Sequence, residues 1–305
     1  MIGSIGLPRL FGASILIFAA LPFLPQLALA QFTQQGPKLV GTGAVGQLVE
    51  QGFSVALSAD GNTAVVGGLN DNGGAGSVRV FTRSNGVWTQ QGNQLVGTGA
   101  VGTAKQGFSV ALSADGNTAV VAGLNDNGGA GAVWVFTRTN GVWTQQGNKL
   151  VGTGAVGTAD QGGSVALSAD GNTALVSGVG DNSLAGAVWV FTRSNSVWTQ
   201  QGNKLVGAGA VGTANQGVSV ALSADGNTAL VGGPGDGDAG AVWVFTRSNS
   251  VWTQQGDQLV GTGAVGVAEQ GWSVTLSADG NTAVAGGLSD NGGDGAAWVF
   301  VAASR

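Results

Sequence analysis

The tetrapeptide Thr-Gln-Gln-Gly begins at Thr33, Thr89, Thr144, Thr199 and Thr253, at spacings of 56, 55, 55 and 54 residues. Near-identical copies must occupy near-equivalent surroundings, which an array or a ring provides and a single irregular core does not. Each copy is therefore one supersecondary unit that buries its faces against its neighbours. With 58 Gly and only 9% charged residues, the chain is neither a charged disordered polymer nor helix-rich. The glycines fall between short Val, Ala, Leu and Trp runs, as strands joined by turns require.

One copy resolves into four strands. Phe108–Ser113 alternates large apolar and small residues, and Thr118–Gly123 is almost continuously apolar, as in a strand covered on both sides. Ala114-Asp115-Gly116-Asn117 makes a tight turn between them. A third strand, Ala132–Arg138, and a fourth, Val142–Gln146, flank Asn140-Gly141, a two-residue hairpin signal. We label these strands a to d. A four-stranded antiparallel meander cannot bury either face alone, and radial stacking of such sheets gives a β-propeller. The sequence thus predicts an all-β propeller of five four-stranded blades over residues 31–305. Residues 31–40 resemble a d strand without its a, b and c, while the last copy, from Trp272, ends without a d. We expect this N-terminal strand to complete the last blade and close the ring, removing two sheet edges.

Residues 1–30 read as a signal peptide: Arg9 is the one charge, an apolar run spans about Phe11 to Leu24, and Ala28-Leu29-Ala30 supplies small residues before a cleavage site. Pro22 and Pro25 interrupt the run, which disfavours the alternative of an uncleaved membrane anchor. The expected location is secreted, periplasmic or at the cell surface, with no stable membrane insertion after cleavage. The net charge is −5, without a Lys/Arg cluster, so nucleic acid is not an expected partner. The absence of Cys and His removes disulfides, thiolate chemistry, imidazole bases and the common zinc ligands.

The repeat resembles the FG-GAP family. Gly52-Phe53-Ser54-Val55-Ala56-Leu57 is followed by Asp60-Gly61-Asn62, then Ala64-Val65-Val66-Gly67-Gly68 and Gly76-Ser77-Val78-Arg79-Val80-Phe81. Leu230-Val231-Gly232-Gly233-Pro234-Gly235-Asp236 is similar to the family's V-G-A-P-x-x-D. The resemblance implies a propeller like that of integrin alpha chains, although those have seven blades. It also implies calcium loops between strands a and b, but here that loop has shrunk to Ser-Ala-Asp-Gly-Asn-Thr with one carboxylate. Calcium wants six to eight oxygens. Asp60, Asp115, Asp170, Asp225 and Asp279 therefore read as turn formers.

Strand alternation places the b–c and d–a loops together at one end of the ring, and this long-loop face is the candidate binding surface. Its b–c loops carry Asp71, Asp126, Asp181, Asp236 and Asp290, read either as solvated turn residues or as ligand contacts. Its d–a loops end in a variable residue before Gln-Gly: Glu50, Lys105, Asp160, Asn215 or Glu269. Calcium is the one cofactor considered, with Asp236 and Asp238, or Asp290 and Asp294, as ligands because each pair shares one loop. Trp134, Trp189, Trp243 and Trp298 alternate with Val and Phe on strand c and read as core; Arg79 takes this place in the first copy and needs a partner if buried. The d-strand tryptophans should stack on Arg83, Arg138, Arg193 and Arg247 across the hairpin.

Equivalent acids in every copy argue for a shared structural role rather than a unique catalytic pair. The expected function is a non-catalytic, monomeric adhesion or recognition module for a protein or glycan, with weak calcium dependence as an option. The alternatives are a structural envelope scaffold without a specific ligand and, third, a glycan-acting enzyme.

Overall fold

A computed structural model describes residues 32–303, and the expected signal peptide lies outside the described residues. The chain divides into two compact units, Met1–Gln35 and Gly36–Arg305, and every strand described below lies in the second. Strands β1 (Gln51–Leu57), β2 (Thr63–Gly68), β3 (Ser77–Ser84) and β4 (Val87–Gln90) form blade 1. Blade 2 contains β5 (Val110–Leu112), β6 (Thr118–Gly123), β7 (Ala132–Thr139) and β8 (Val142–Gln145); blade 3 contains β9 (Gln161–Leu167), β10 (Thr173–Gly178), β11 (Ala187–Ser194) and β12 (Val197–Gln200). Blade 4 has β13 (Ser219–Leu222), β14 (Thr228–Gly233), β15 (Ala241–Ser248) and β16 (Val251–Gln254), and blade 5 has β17 (Gln270–Leu276), β18 (Thr282–Gly287) and β19 (Ala296–Val301). Every pairing between neighbouring strands within these sheets is antiparallel, and the protein is an all-β propeller of five blades.

The turns follow their residues. Asn140 and Gly141 have φ of 50° and 79°, the pair of left-handed residues that a type I′ hairpin needs. Arg138 then pairs with Trp143 in the ladder, as expected from a two-residue loop. The guanidinium lies 5.4 Å from the indole centroid, and the equivalent pairs in blades 1, 3 and 4 lie at 5.3–5.5 Å.

Apolar clusters fill the four junctions between consecutive blades. Trp189, for example, is fully buried among Val120, Val133, Ala159 and Val176. The indole needs a glycine beneath it: a Cβ on Gly152 would sit 2.2 Å from Trp189 Cδ1. Its Nε1–H donates to the Thr153 carbonyl at 2.7 Å, so the one polar atom of the ring is satisfied in the core. At the short-turn end, a string of backbone bonds steps around the blades, from Ala59 N to Ala114 O, Ala114 N to Ala169 O, Ala169 N to Ala224 O and Ala224 N to Ala278 O.

Among the described residues the expected closing strand is not assigned. Residues 32–40 contain no strand, and the fifth sheet has three strands, not four. The chain from Gly41 onward is tied to blade 1. Gly41 N–H donates to Gln51 Oε1 at 2.8 Å, Thr42 N–H to Gln90 Oε1 at 2.6 Å and Val45 N–H to Asp71 Oδ1 at 2.7 Å. Residues 97–101 make the same bonds to Gln106, Gln145 and Asp126 on their way into blade 2. On the fifth blade, Val299 and Val301 of β19 remain 64% and 73% exposed.

Candidate functional site

The long-loop face is built by a clamp repeated five times. In each b–c loop an Asp turns inward, and its Oδ1 accepts the backbone N–H of a valine in the d–a loop entering that blade. The bonds are Val45 to Asp71, Val101 to Asp126, Val156 to Asp181, Val211 to Asp236 and Val265 to Asp290, at 2.5–2.7 Å. The residue after each Asp returns the grip, donating its N–H to the valine carbonyl: Asn72, Asn127, Asn182, Gly237 and Asn291. The two loop families expected to share one end of the ring are thus joined directly.

This clamp corrects the reading of the five aspartates as solvated turn residues. Asp71, Asp126, Asp181, Asp236 and Asp290 are buried, and their carboxylates act inside the loops. In blades 2 and 3 a lysine of the same blade neutralises the Asp: Lys149 on Asp126 and Lys204 on Asp181. What each clamp presents to solvent is a valine. Val45, Val101, Val156, Val211 and Val265 are 51–62% exposed, each on a backbone fixed from both sides.

The variable residues also stand on this face, all in the left-handed conformation, with φ of 56° for Glu50, 60° for Lys105, 53° for Asp160, 54° for Asn215 and 56° for Glu269. One backbone thus displays four kinds of side chain at five equivalent places. Lys105 Nζ donates to Asn70 Oδ1 in the b–c loop of the preceding blade. Glu269 Oε2 accepts the Ser289 hydroxyl at 2.6 Å. Asn215 Oδ1 is buried without a hydrogen-bond partner. Asp160 stands with Thr103, Asn125, Gly128, Gly129 and Thr158 around a cleft of about 390 Å³ where blades 2 and 3 meet. Burial pushes its carboxyl pKa above the ordinary value.

The paired acids weighed as calcium ligands sit in unlike surroundings. Asp236 is buried in its clamp while Asp238 is exposed, and Asp290 holds Val265 while Asp294 accepts the Asn291 amide at 2.7 Å. Among the described residues no three Asp, Glu, His or Cys side chains are grouped as a cation site would need. In the a–b turns the carboxylates cap their own loops: Asp60 accepts from Ser58 Oγ, Asn62 N and Asn62 Nδ2. The Ser58 hydroxyl, followed by the Asn62 donors, lowers the Asp60 pKa to about 2.

Sequence reasoning passed over the glutamine of the Gln-Gly pair. Gln106, Gln161, Gln216 and Gln270 are fully buried. Each closes a ring on the glycine beneath the strand-c aromatic, as when Gln161 Oε1 accepts the Gly152 N–H and Nε2 donates to the Gly152 carbonyl. Its recurrence in every copy was the available signal; a polar residue beside variable loop positions reads as loop until the fold buries it.

Among the described residues no helix is long and apolar enough to cross a membrane. No family model matches the chain, and no curated protein matches it. Solved structures that it resembles are TolB from Acinetobacter baumannii (12% identity, TM-score 0.47) and Kuenenia stuttgartiensis hydrazine synthase (15%, 0.48). The alignments cover 81% and 82% of this chain but 51% and 59% of those, so it spans little more than half their length. A 6-phosphogluconolactonase-like protein from Bacteroides uniformis aligns over 81% of this chain and 70% of its own, at 15% identity and a TM-score of 0.54. At such identities the likeness is one of fold, and the fold shared is the β-propeller.

Proposed function

We propose that this chain is a non-catalytic recognition module, an exported FG-GAP-like propeller that binds a repetitive partner through its long-loop face. The observation that carries this reading is the set of five exposed valines, each held on a backbone clamped by a buried aspartate. An apolar group fixed in place costs little further ordering on binding, and five copies on one scaffold suit a multivalent contact. Fixed valines favour an extended protein surface over a sugar, with the variable residues Glu50, Lys105, Asp160, Asn215 and Glu269 setting specificity at the blade junctions. Export to the periplasm, the cell surface or the medium rests on the leader at residues 1–30.

The test is binding to arrayed surface proteins and glycans by the parent and by a variant with Val45, Val101, Val156, Val211 and Val265 all changed to Ser. Loss of the parent's signals in the variant, at unchanged melting temperature, is the expected result. Equal binding by the two would overturn the proposal. Parallel arrays with calcium and with EDTA decide whether the cation contributes.

A further inference from the structure

Two equivalent junctions on the long-loop face are filled differently. Between blades 1 and 2 the variable residue is Lys105. Its ammonium lies over Gly74, with Nζ 3.8 Å from where a Cβ on that glycine would be, and it donates to Asn70 Oδ1 in the b–c loop of blade 1. The lysine chain spans the gap between the two loops and finds its acceptor within the protein.

Between blades 2 and 3 Asp160 takes the place of Lys105. It lies over Gly129 as the lysine lies over Gly74: a Cβ on Gly129 would be 3.1 Å from Asp160 Oδ1. Asn125, the counterpart of Asn70, is kept. On the blade 3 side Gly180 stands where blades 1 and 2 have these asparagines, and a Cβ there would be 2.7 Å from Asp160 Oδ2, so the glycine leaves the carboxylate its room. The shorter side chain does not span the gap, and the cleft of about 390 Å³ lined by Thr103, Asn125, Thr158 and Asp160 is the result. Among the described residues the Asp160 carboxylate has no hydrogen-bond or ion-pair partner, and burial alone raises its pKa. The acids of the adjoining b–c loops are already neutralised, Asp126 by Lys149 and Asp181 by Lys204. A partly desolvated carboxylate without a partner favours a cation that brings its own hydrogen-bond donors. Calcium would want six to eight oxygens, and among the described residues no three acids are grouped to supply them.

We propose that this cleft is a primary-ammonium site, and that its occupant is a lysine side chain of the protein partner, held by Asp160 and Asn125 where the neighbouring junction holds the chain's own Lys105 on Asn70. An ammonium carries three donors and no acceptor. The Asp160 carboxylate offers a charged acceptor and Asn125 Oδ1 a neutral one. Gly128 and Gly129, which line the same cleft, leave space for the methylene stem. A lysine whose ε-nitrogen is acetylated keeps that stem and loses the charge-assisted bond. The inference rests on the reading of the long-loop face as a protein-binding surface and names a side chain that this surface selects.

The probe is Nα-acetyl-lysine N-methylamide, titrated into the purified protein at neutral pH and followed by the NMR shifts of the Asn125 side-chain amide and the Asp160 carboxyl carbon. The ε-acetylated probe should bind at least about tenfold more weakly, the weight of one charge-assisted hydrogen bond, and Asp160→Asn should weaken the lysine probe by as much. Asp160→Lys, which repeats the Lys105 arrangement, should fill the cleft and abolish binding. The variant with all five loop valines changed to Ser should bind the lysine probe like the parent, so that failure of the valine surface and failure of this cleft are read separately. No saturable shift with the lysine probe, equal affinity for the two probes, or undiminished binding to Asp160→Asn overturns the proposal. Glucosamine binding more tightly than the lysine probe, with the same dependence on Asp160, would assign the ammonium to a glycan and also overturn it.

Discussion

Arg79 Nη2 lies 2.7 Å from Asp71 Oδ2, and both side chains are completely buried. This pair answers the oddity of a charged residue at the position that is Trp134, Trp189, Trp243 and Trp298 in the other blades. Two further changes accompany it: Ser77 replaces the alanine of Ala132, Ala187 and Ala241, and Gln94 replaces the lysine of Lys149 and Lys204. Both accept from the guanidinium, Ser77 Oγ at 2.9 Å and Gln94 Oε1 at 2.9 Å. In blades 2 and 3 the cation reaches the loop Asp from the rim, whereas in blade 1 it comes from the core strand.

Removing one partner should therefore be costly. Arg79→Ala strands a buried carboxylate and should destabilise by about 3–5 kcal/mol. Arg79→Trp alone leaves Asp71 unpaired, while Arg79→Trp with Gln94→Lys and Ser77→Ala rebuilds the blade 2 pattern and should recover most of the loss. Urea midpoints across the series check this. A triple variant no more stable than Arg79→Trp would contradict it.

Gly152 and Trp189 should be inseparable. The Cβ of Gly152→Ala would fall 2.2 Å from Trp189 Cδ1, far inside contact distance, so ring or backbone must move. Overpacking of this kind costs about 1–3 kcal/mol. The same substitution in a Trp189→Leu background should cost clearly less, as read from a double-mutant cycle of denaturation midpoints.

Ser196 and Ser250 hold the left-handed place that Gly86 and Gly141 fill in blades 1 and 2, with φ of 64° and 66°. A residue with a Cβ loses about 1–2 kcal/mol there. Ser196→Gly and Ser250→Gly should each raise the thermal midpoint, by an amount partly offset by the greater freedom of glycine in the unfolded chain.

Acid should unfold the protein through the a–b turns. The Asp60 pKa is lowered to about 2 by Ser58 and Asn62, and Asp225 and Asp279 are lowered by Ser223 and Ser277 in the same way. A depressed folded-state pKa contributes stability above the unfolded value of 3.8, and that contribution disappears as pH falls toward about 2. Replacing Asp60, Asp225 and Asp279 with Asn should flatten the fall in melting temperature between these limits.

Asp160 should behave oppositely. Burial raises its pKa, so ionisation opposes folding, and the penalty grows as pH rises above the unfolded value of 3.8 and is complete above the folded one. Asp160→Asn should be more stable than the parent at neutral pH and no more stable at pH 3. Equal melting temperatures at neutral pH would count against the assignment.

What the sequence alone determined was local. An almost continuous apolar run placed β6 at Thr118–Gly123 with the bounds observed, Asn140-Gly141 specified its hairpin, and the pairing of Arg138 with Trp143 followed from loop length. The repeat then required stacking, because one sheet cannot cover its own faces. The tertiary structure decided what lies between repeats. It tied Gly41–Val45 to blade 1, turned the loop aspartates inward, and gave Gln161 its ring with Gly152. Alternation and turn chemistry are read along the chain, but whether a carboxylate meets solvent or a backbone N–H depends on residues 25 or more positions away. Only packing brings those together.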